Sequence, residues 1–196
     1  MSRCRILFTG VGGQGTLLAS RLLGEAAMAA GMDVVVSEVH GMAQRGGVVE
    51  STVQLGGVRS PIISKGEADI LVGFEPLETL RALDRCSRAS TIITNTTPIV
   101  PFTVELGGPS YPDVDHWIGF MEGQFARVYA LDADALAREA GTAKAVNVVL
   151  LGLLFGTGLL PLEPANMEAT IEAQVKPRFV EANLRAFRMG MEAAHG

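Results

Sequence analysis

The residues with the clearest capacity for chemistry form a glycine-rich stretch near the start of the chain. Gly10-Val11-Gly12-Gly13-Gln14-Gly15 fits the pattern G-x-G-x-x-G, in which glycines allow a tight turn and let an anion approach the backbone. A helix that begins after such a turn offers unpaired N–H groups and the positive end of its dipole. The stretch therefore predicts an anion-binding turn, with candidate binding residues Gly10, Gly12, Gly13, Gln14 and Gly15.

A second stretch, from Glu38 to Gly47, carries polar side chains. Glu38 follows Gly15 at about the spacing at which a dinucleotide enzyme holds the ribose hydroxyls. Arg45 can form paired hydrogen bonds with a phosphate or a carboxylate, whereas it would otherwise serve as a surface ion-pair residue. His40 can exchange a proton near neutral pH, but ordering the loop through a hydrogen bond is the commoner role. The candidate residues of this stretch are Glu38, His40, Gln44 and Arg45.

Three interpretations of the glycine turn stay open at this point: a dinucleotide site, a site for another anion, and close packing of a strand on a helix. The doubled Gly12-Gly13 followed by Gln14 departs from the usual dinucleotide loop, because Gln14 places an amide at the mouth of the turn. No nucleophile elbow, P-loop lysine motif or His-Glu-x-x-His is present in the sequence. Two cysteines, Cys4 and Cys86, are too few for an iron–sulfur cluster, and we assign no catalytic and no metal-binding residue.

The elements that must position these residues alternate between short apolar strands and longer periodic helices. The patterns predict strands over 5–10, 33–38, 48–55, 68–74, 91–95 and 127–131, a short edge piece at 62–63, helices over 16–30, 77–85 and 133–139, a buried helix within 145–162, and a C-terminal amphipathic region that Pro177 kinks or splits. His116 and Trp117 are assigned to a loop. The alternation predicts a Rossmann-like α/β fold, an open, mostly parallel sheet with helices on both faces in a single domain. Turns that follow the strand ends would then share one edge.

The composition limits the possible partners and location. Of 196 residues, 48% are apolar and only 19% are charged, below the usual ~25%, and the net charge is −5. This acidic balance argues against a nucleic-acid partner. The charge-free segment 145–162 reaches the minimum length of a membrane span, but its glycines, Asn147 and Pro161 favour a buried helix, so no membrane contact is expected. Free thiols and a short apolar N-terminal run predict a cytoplasmic protein.

The stretches 10–15 and 37–47 together resemble the gamma module of the 2-oxoacid:ferredoxin oxidoreductases, and most of all its indolepyruvate branch. The likeness continues in the order of that family through the segments 68–75, 111–114, 132–137, 145–152 and 181–187. Pro177 departs from the expected pattern within the last helical region.

The resemblance implies that residues 1–196 form one gamma-type domain, a subunit of an indolepyruvate (arylpyruvate):ferredoxin oxidoreductase that is inactive alone. Such a complex acts on the oxo group of a 2-oxoacid, decarboxylates it oxidatively to an acyl-CoA and passes the electrons to ferredoxin. The resemblance places thiamine diphosphate and the 4Fe–4S clusters on a partner alpha subunit. It leaves this chain without a cofactor of its own, and lets the glycine turn and Arg45 contribute to the coenzyme A site or to the partner contact.

Two other functions stay open. One is a gamma subunit of an oxidoreductase for pyruvate, 2-oxoisovalerate or 2-oxoglutarate, and the other is a free-standing NAD- or nucleotide-binding Rossmann domain. An obligate subunit would also explain the low charge content, because its interface resembles a core cut in half. The interface is expected at 97–112 or 145–162, although an internal helix explains the second segment equally well. Expressed alone, the chain is expected to be poorly soluble or to self-associate, and co-expression with its partner is expected to relieve this.

Overall fold

The computed structural model describes residues 3–40, 47–57, 60–100, 104 and 110–195, without the side chain of His40. The strands are β1 (Cys4–Val11), β2 (Val34–His40), β3 (Val48–Leu55), β4 (Ala68–Gly73), β5 (Cys86–Asn95) and β6 (Arg127–Leu131). The helices are α1 (Thr16–Ala29), α2 (Pro76–Ala82), α3 (Val114–Gln124), α4 (Ala133–Glu139), α5 (Val146–Gly156), α6 (Pro164–Gln174) and α7 (Pro177–Glu192). Short 3-10 helices, Leu83–Arg85 and Ala143–Ala145, precede β5 and α5.

The strands form one sheet in the order β2-β3-β1-β4-β5-β6. β1, β4, β5 and β6 pair in parallel, whereas β3 is antiparallel to both β1 and β2. The predicted mostly parallel α/β sheet is thereby confirmed. The structure differs in one respect from a simple strand–helix–strand unit of β1, α1 and β2. Strand β3 lies between β1 and β2 in the sheet. Only seven residues separate β2 from β3, too few for a crossover helix, so the chain reverses direction.

Helices cover both faces of the sheet. Successive side chains of a strand point to opposite faces, so Ile6 and Phe8 of β1 join a core with α1, α4, α5, α6 and α7, while Leu7 joins a second core with α2 and α3. All three side chains are fully buried. The continuous apolar run of β1 therefore reflects burial on both sides, as expected for a central strand of such a sheet.

Helix α5 is buried along its whole length and packs against α7. A Cβ atom at Gly152 would lie 2.0 Å from the carbonyl oxygen of Phe187, and one at Gly190 would lie 2.1 Å from that of Val149. Glycines thus let the two helices touch through their backbones. The internal-helix explanation of segment 145–162 is confirmed for its helical part. No helix in the described ranges is long and apolar enough to cross a membrane.

Two local predictions were wrong. His116 and Trp117 lie in helix α3, not in a loop; Asp113 caps this helix by accepting a hydrogen bond from the N–H of His116 (3.1 Å). Residues 62–63 form no strand. The predicted break at Pro177 is confirmed, since this proline is the first residue of α7, where its missing N–H costs no hydrogen bond.

Candidate functional site

The glycine turn joins the end of β1 to the start of α1. Its glycines are required for different structural reasons. Gly13 and Gly15 adopt φ values of 103° and 84°, in the left-handed region that side chains other than glycine rarely adopt. Gly10 has an ordinary conformation but no room, because a Cβ there would lie 2.8 Å from the Cβ of Phe74 and 3.0 Å from Oγ1 of Thr16. The sequence motif therefore encodes both a turn and a close approach.

The side chain of Gln14 points into the sheet edge and not to the mouth of the turn. Its Oε1 accepts a hydrogen bond from the N–H of Val11 (2.7 Å), and its Nε2 donates to the carbonyl of Phe74 (2.8 Å). The same carbonyl accepts from Nδ2 of Asn95 (3.1 Å), which also donates to Oδ2 of Asp134 (2.9 Å). These bonds tie the ends of β1, β4 and β5 together beneath the turn.

The backbone donors of the turn divide into two groups. The N–H of Gly12 donates to the carbonyl of Gly47 (3.0 Å), and that of Gln14 donates to Val11 (3.2 Å). The N–H groups of Gly13 and Gly15 have no acceptor in the part of the chain that the structure describes. Helix α1 has no side-chain cap and no acidic residue in its first turn. An anion at this edge would therefore meet Gly13, Gly15 and the first turn of α1.

Beside the turn lies a cleft of about 500 Å³ at the carboxyl edge of the parallel strands. Open α/β sheets bind ligands at this edge. Its walls come from the turn, from α1, from the segment after β5, and from the starts of α4 and α5. The lining residues are Gly13, Gln14, Gly15, Leu18, Thr97, Ile99, Asp134, Ala143, Lys144, Val146 and Asn147.

Asn147 is a cleft residue that sequence reasoning missed. Only 2% of it is exposed, and this small exposed part lines the cleft. It lies against the glycine turn, since a Cβ at Gly15 would be 3.1 Å from its Nδ2. A polar residue inside an otherwise apolar, charge-free run was the signal that could have marked it, because buried amides need partners.

The residues predicted from the second stretch are placed less completely. Glu38 pairs with Ser51 of β3, and β3 separates β2 from β1, so Glu38 is two strand spacings, roughly 10 Å, from β1. It is not among the cleft-lining residues. Gln44, Arg45 and the side chain of His40 lie outside the described residues.

A buried carboxylate holds the outer wall of the cleft in place. Glu75, at the start of α2, is 1% exposed and accepts hydrogen bonds from the N–H groups of Glu78 (3.0 Å) and Ile99 (3.1 Å). It also accepts a short hydrogen bond from the hydroxyl of Tyr111. Burial, and then this contact with Glu75, raises the pKa of Tyr111. Sequence patterns assigned no role to Glu75, which directly follows the predicted strand 68–74.

Several known proteins are similar to this chain. Residues 5–193 match the family model described as pyruvate ferredoxin/flavodoxin oxidoreductase. Indolepyruvate oxidoreductase subunit IorB of Archaeoglobus fulgidus is 41% identical over 98% of this chain and 96% of its own length. The same subunit of Thermococcus kodakarensis is 41% identical over 99% of this chain and 97% of its own.

Solved structures share the fold. The gamma subunit of a keto/oxoacid ferredoxin oxidoreductase from Geobacter sulfurreducens has a TM-score of 0.72 at 24% identity, covering 98% of both chains. The 2-oxoglutarate:ferredoxin oxidoreductase from Magnetococcus marinus has a TM-score of 0.76 at 17% identity. The match covers 100% of this chain and 31% of that one.

Proposed function

This chain belongs to the pyruvate ferredoxin/flavodoxin oxidoreductase family, and on that premise we propose that it is a non-autonomous subunit of an indolepyruvate (arylpyruvate):ferredoxin oxidoreductase. The complete enzyme converts a 2-oxoacid and coenzyme A into an acyl-CoA and carbon dioxide, and the electrons pass to ferredoxin. One observation carries the proposal: the 41% identity to an indolepyruvate oxidoreductase subunit over 98% of the chain.

The partner alpha subunit is proposed to hold the cofactors, with thiamine diphosphate supplying the decarboxylation chemistry and 4Fe–4S clusters carrying the electrons. Four thiolates ligate such a cluster, and this chain has two cysteines. Burial raises the pKa of both Cys4 and Cys86 to about 12, so both thiols stay protonated at neutral pH. Within the described ranges, no three His, Cys, Asp or Glu residues are grouped to hold a metal ion.

The work left to this chain is binding and orientation. The cleft beside the glycine turn, with the N–H groups of Gly13 and Gly15, is proposed to contribute to the coenzyme A site or to the contact with the partner near its thiamine site. Arg45 is proposed as a further contact of the same anion. Glu75 and Tyr111 keep the wall around Ile99 in position without reaching the cleft themselves.

The relatives favour an arylpyruvate over other 2-oxoacids. The matching subunits named for indolepyruvate are 40–41% identical to this chain. Ketoisovalerate subunit VorA and 2-oxoglutarate subunit KorC of Methanothermobacter thermautotrophicus are 26% and 28% identical. An oxidoreductase for pyruvate, 2-oxoisovalerate or 2-oxoglutarate is therefore the second candidate.

The free-standing NAD-binding domain is disfavoured by the sheet. In a dinucleotide fold the acidic residue that binds ribose ends the strand next to β1. Here β3 occupies that place, and Glu38 lies beyond it. The isolated chain is therefore expected to show no thermal shift with NADH, and a clear shift would favour the NAD-binding alternative.

Co-expression with an alpha-type chain tests the proposal. The two chains should co-elute in size exclusion, relieve the self-association of the isolated subunit, and together reduce ferredoxin with coenzyme A and indolepyruvate or phenylpyruvate. Each chain alone serves as the control and should be inactive. Turnover only with pyruvate, 2-oxoisovalerate or 2-oxoglutarate would support the second candidate, and co-elution without turnover on any 2-oxoacid would contradict the proposed function.

A further inference from the structure

We infer that the outer side of helix α3 is a docking surface for a helix of the partner subunit that carries Arg or Lys side chains. The inference rests on the proposed function only for the identity of the partner, the alpha subunit. We call this surface the α3 face, and it consists of His116, Trp117, Gly119, Phe120 and Gly123.

Helix α3 contacts the rest of the protein with one side only. Met121 is buried in the second core, and Ile118 is partly buried against it. The other side carries four exposed residues at the three- and four-residue spacing of a single helix face: His116, Gly119, Phe120 and Gly123. The helix therefore has a second face that is free for an external contact.

Nothing in the described part of the chain explains why two of these residues are glycines. Neither Gly119 nor Gly123 has a positive φ, and a Cβ at either would meet nothing within 4 Å. Glycine within a helix is destabilising relative to alanine, so these glycines weaken α3 without a benefit to the fold. In α5 the same four-residue spacing, at Gly152 and Gly156, lets the backbone of α7 approach closely. The pair in α3 provides the same access to a helix from outside.

Aromatic rings lie beside these glycines. The ring of Trp117 packs edge-on against those of His116 and Phe120, with 5.7 and 5.2 Å between ring centroids. Phe120 is 45% exposed, although it is a large apolar side chain. Tryptophan is enriched among the residues that dominate binding at protein interfaces, and its ring attracts the guanidinium group of arginine. The rings therefore offer both apolar area and a place for a cation.

The charge of α3 selects the occupant. Its exposed carboxylates are Asp113, Asp115 and Glu122, and residues 113–124 contain no Lys or Arg. None of the three forms an ion pair within the described ranges. Asp115 and Glu122 lie at four- and three-residue spacing from Gly119, so they border the glycines. Pairing of α3 with α3 of a second copy would set carboxylates against carboxylates, whereas a basic helix of the partner subunit matches them.

The first test measures the dissociation of co-expressed complexes on dilution, by mass photometry. Gly119→Leu should weaken the complex at least about 10-fold, because the leucine fills the space that the partner helix needs. Ala169→Leu is the matched control, since it places the same side chain at another exposed helical position, in α6, and it should leave the affinity unchanged. Leucine is a better helix former than glycine and meets no neighbour at position 119. The thermal midpoint of the isolated Gly119→Leu chain should therefore rise, whereas a role of Gly119 in the fold alone would lower it.

Two further measurements address the charge and the rings. Glu122→Lys should weaken the complex about 10-fold, whereas Glu172→Lys, the same change at an exposed position of α6, should not. Trp117 is the only tryptophan of the chain, so 5-hydroxytryptophan incorporated into this subunit reports on that position alone. Quenching of its fluorescence by acrylamide should fall when the alpha-type chain is added.

The outcomes separate this surface from the proposed function. Unchanged dissociation of the Gly119→Leu and Glu122→Lys complexes, or unchanged quenching at position 117, would overturn the docking surface even in a complex that oxidises arylpyruvates. Loss of self-association of the isolated variants with an unaffected complex would assign the α3 face to a second copy, and would also overturn the inference. A complex that shows the expected changes but is inactive on every 2-oxoacid would overturn only the proposed function.

Discussion

Replacing Gly152 by alanine tests the close contact between α5 and α7. The new Cβ would lie 2.0 Å from the carbonyl oxygen of Phe187. Because the atoms that it meets belong to the backbone of α7, no flexible side chain can move aside to make room for it. The helices must separate by about 1 Å, and overpacking of this kind costs about 3 kcal/mol, the upper end of the usual range. Alanine regains about 1 kcal/mol of helix propensity, so the net loss of unfolding free energy is about 2 kcal/mol.

Urea unfolding followed by circular dichroism measures this loss. With a slope of about 2 kcal/mol/M, the midpoint should fall by about 1 M. Gly119→Ala in α3 is the matched control, since it is the same substitution within a helix and its Cβ would meet nothing within 4 Å. Its midpoint should rise by at most about 0.5 M, the propensity gain alone. A midpoint for Gly152→Ala at or above that of the control would refute the backbone contact.

Two further predictions concern the thiols and the strand-end hydrogen bonds. Burial raises the pKa of Cys4 from 9.0 to about 12, so the folded state keeps a proton that the unfolded state releases above pH 9. Stability should fall by about 1.4 kcal/mol per pH unit between these values, and Cys4→Ala should remove that slope from urea midpoints measured at pH 9 to 10.5. Gln14→Leu should cost about 1–3 kcal/mol in thermal unfolding because it removes both bonds of the amide, whereas Gln124→Leu, at an exposed position, should cost little.

Local patterns predicted much of the fold because the relevant information is local. Strands β3 and β6 and helix α4 begin and end at the predicted residues, since apolar alternation and the cap at Asp132 mark their limits. Helix α3 was missed because it contains Gly119 and Gly123 and buries only Met121, so it has no apolar stripe. The place of β3 between β1 and β2 is a choice of pairing partner, which the pattern within a strand does not encode.

The candidate site likewise has a part that the sequence predicted and a part that it did not. The glycine turn was predicted because its residues are consecutive and their conformational requirements are specific. Asn147 and Lys144 were missed because only the tertiary fold brings the start of α5 to the start of α1. The inward direction of Gln14 was also unpredictable, since it depends on the carbonyl of Phe74, a residue on another strand end.

The antiparallel strand β3 also suggests the order in which the strands of the sheet pair during folding. Its pairs with β2 close a short loop, beginning with His40 and Val49, whereas its pairs with β1 join residues much farther apart, such as Cys4 and Leu55. Loop-closure entropy makes the first pairing less costly, so the β2–β3 hairpin can form early and present an edge to β1. β1, the central strand of the finished sheet, would then pair with β3 late in folding. The glycine turn at the end of β1 would form only when β1 docks.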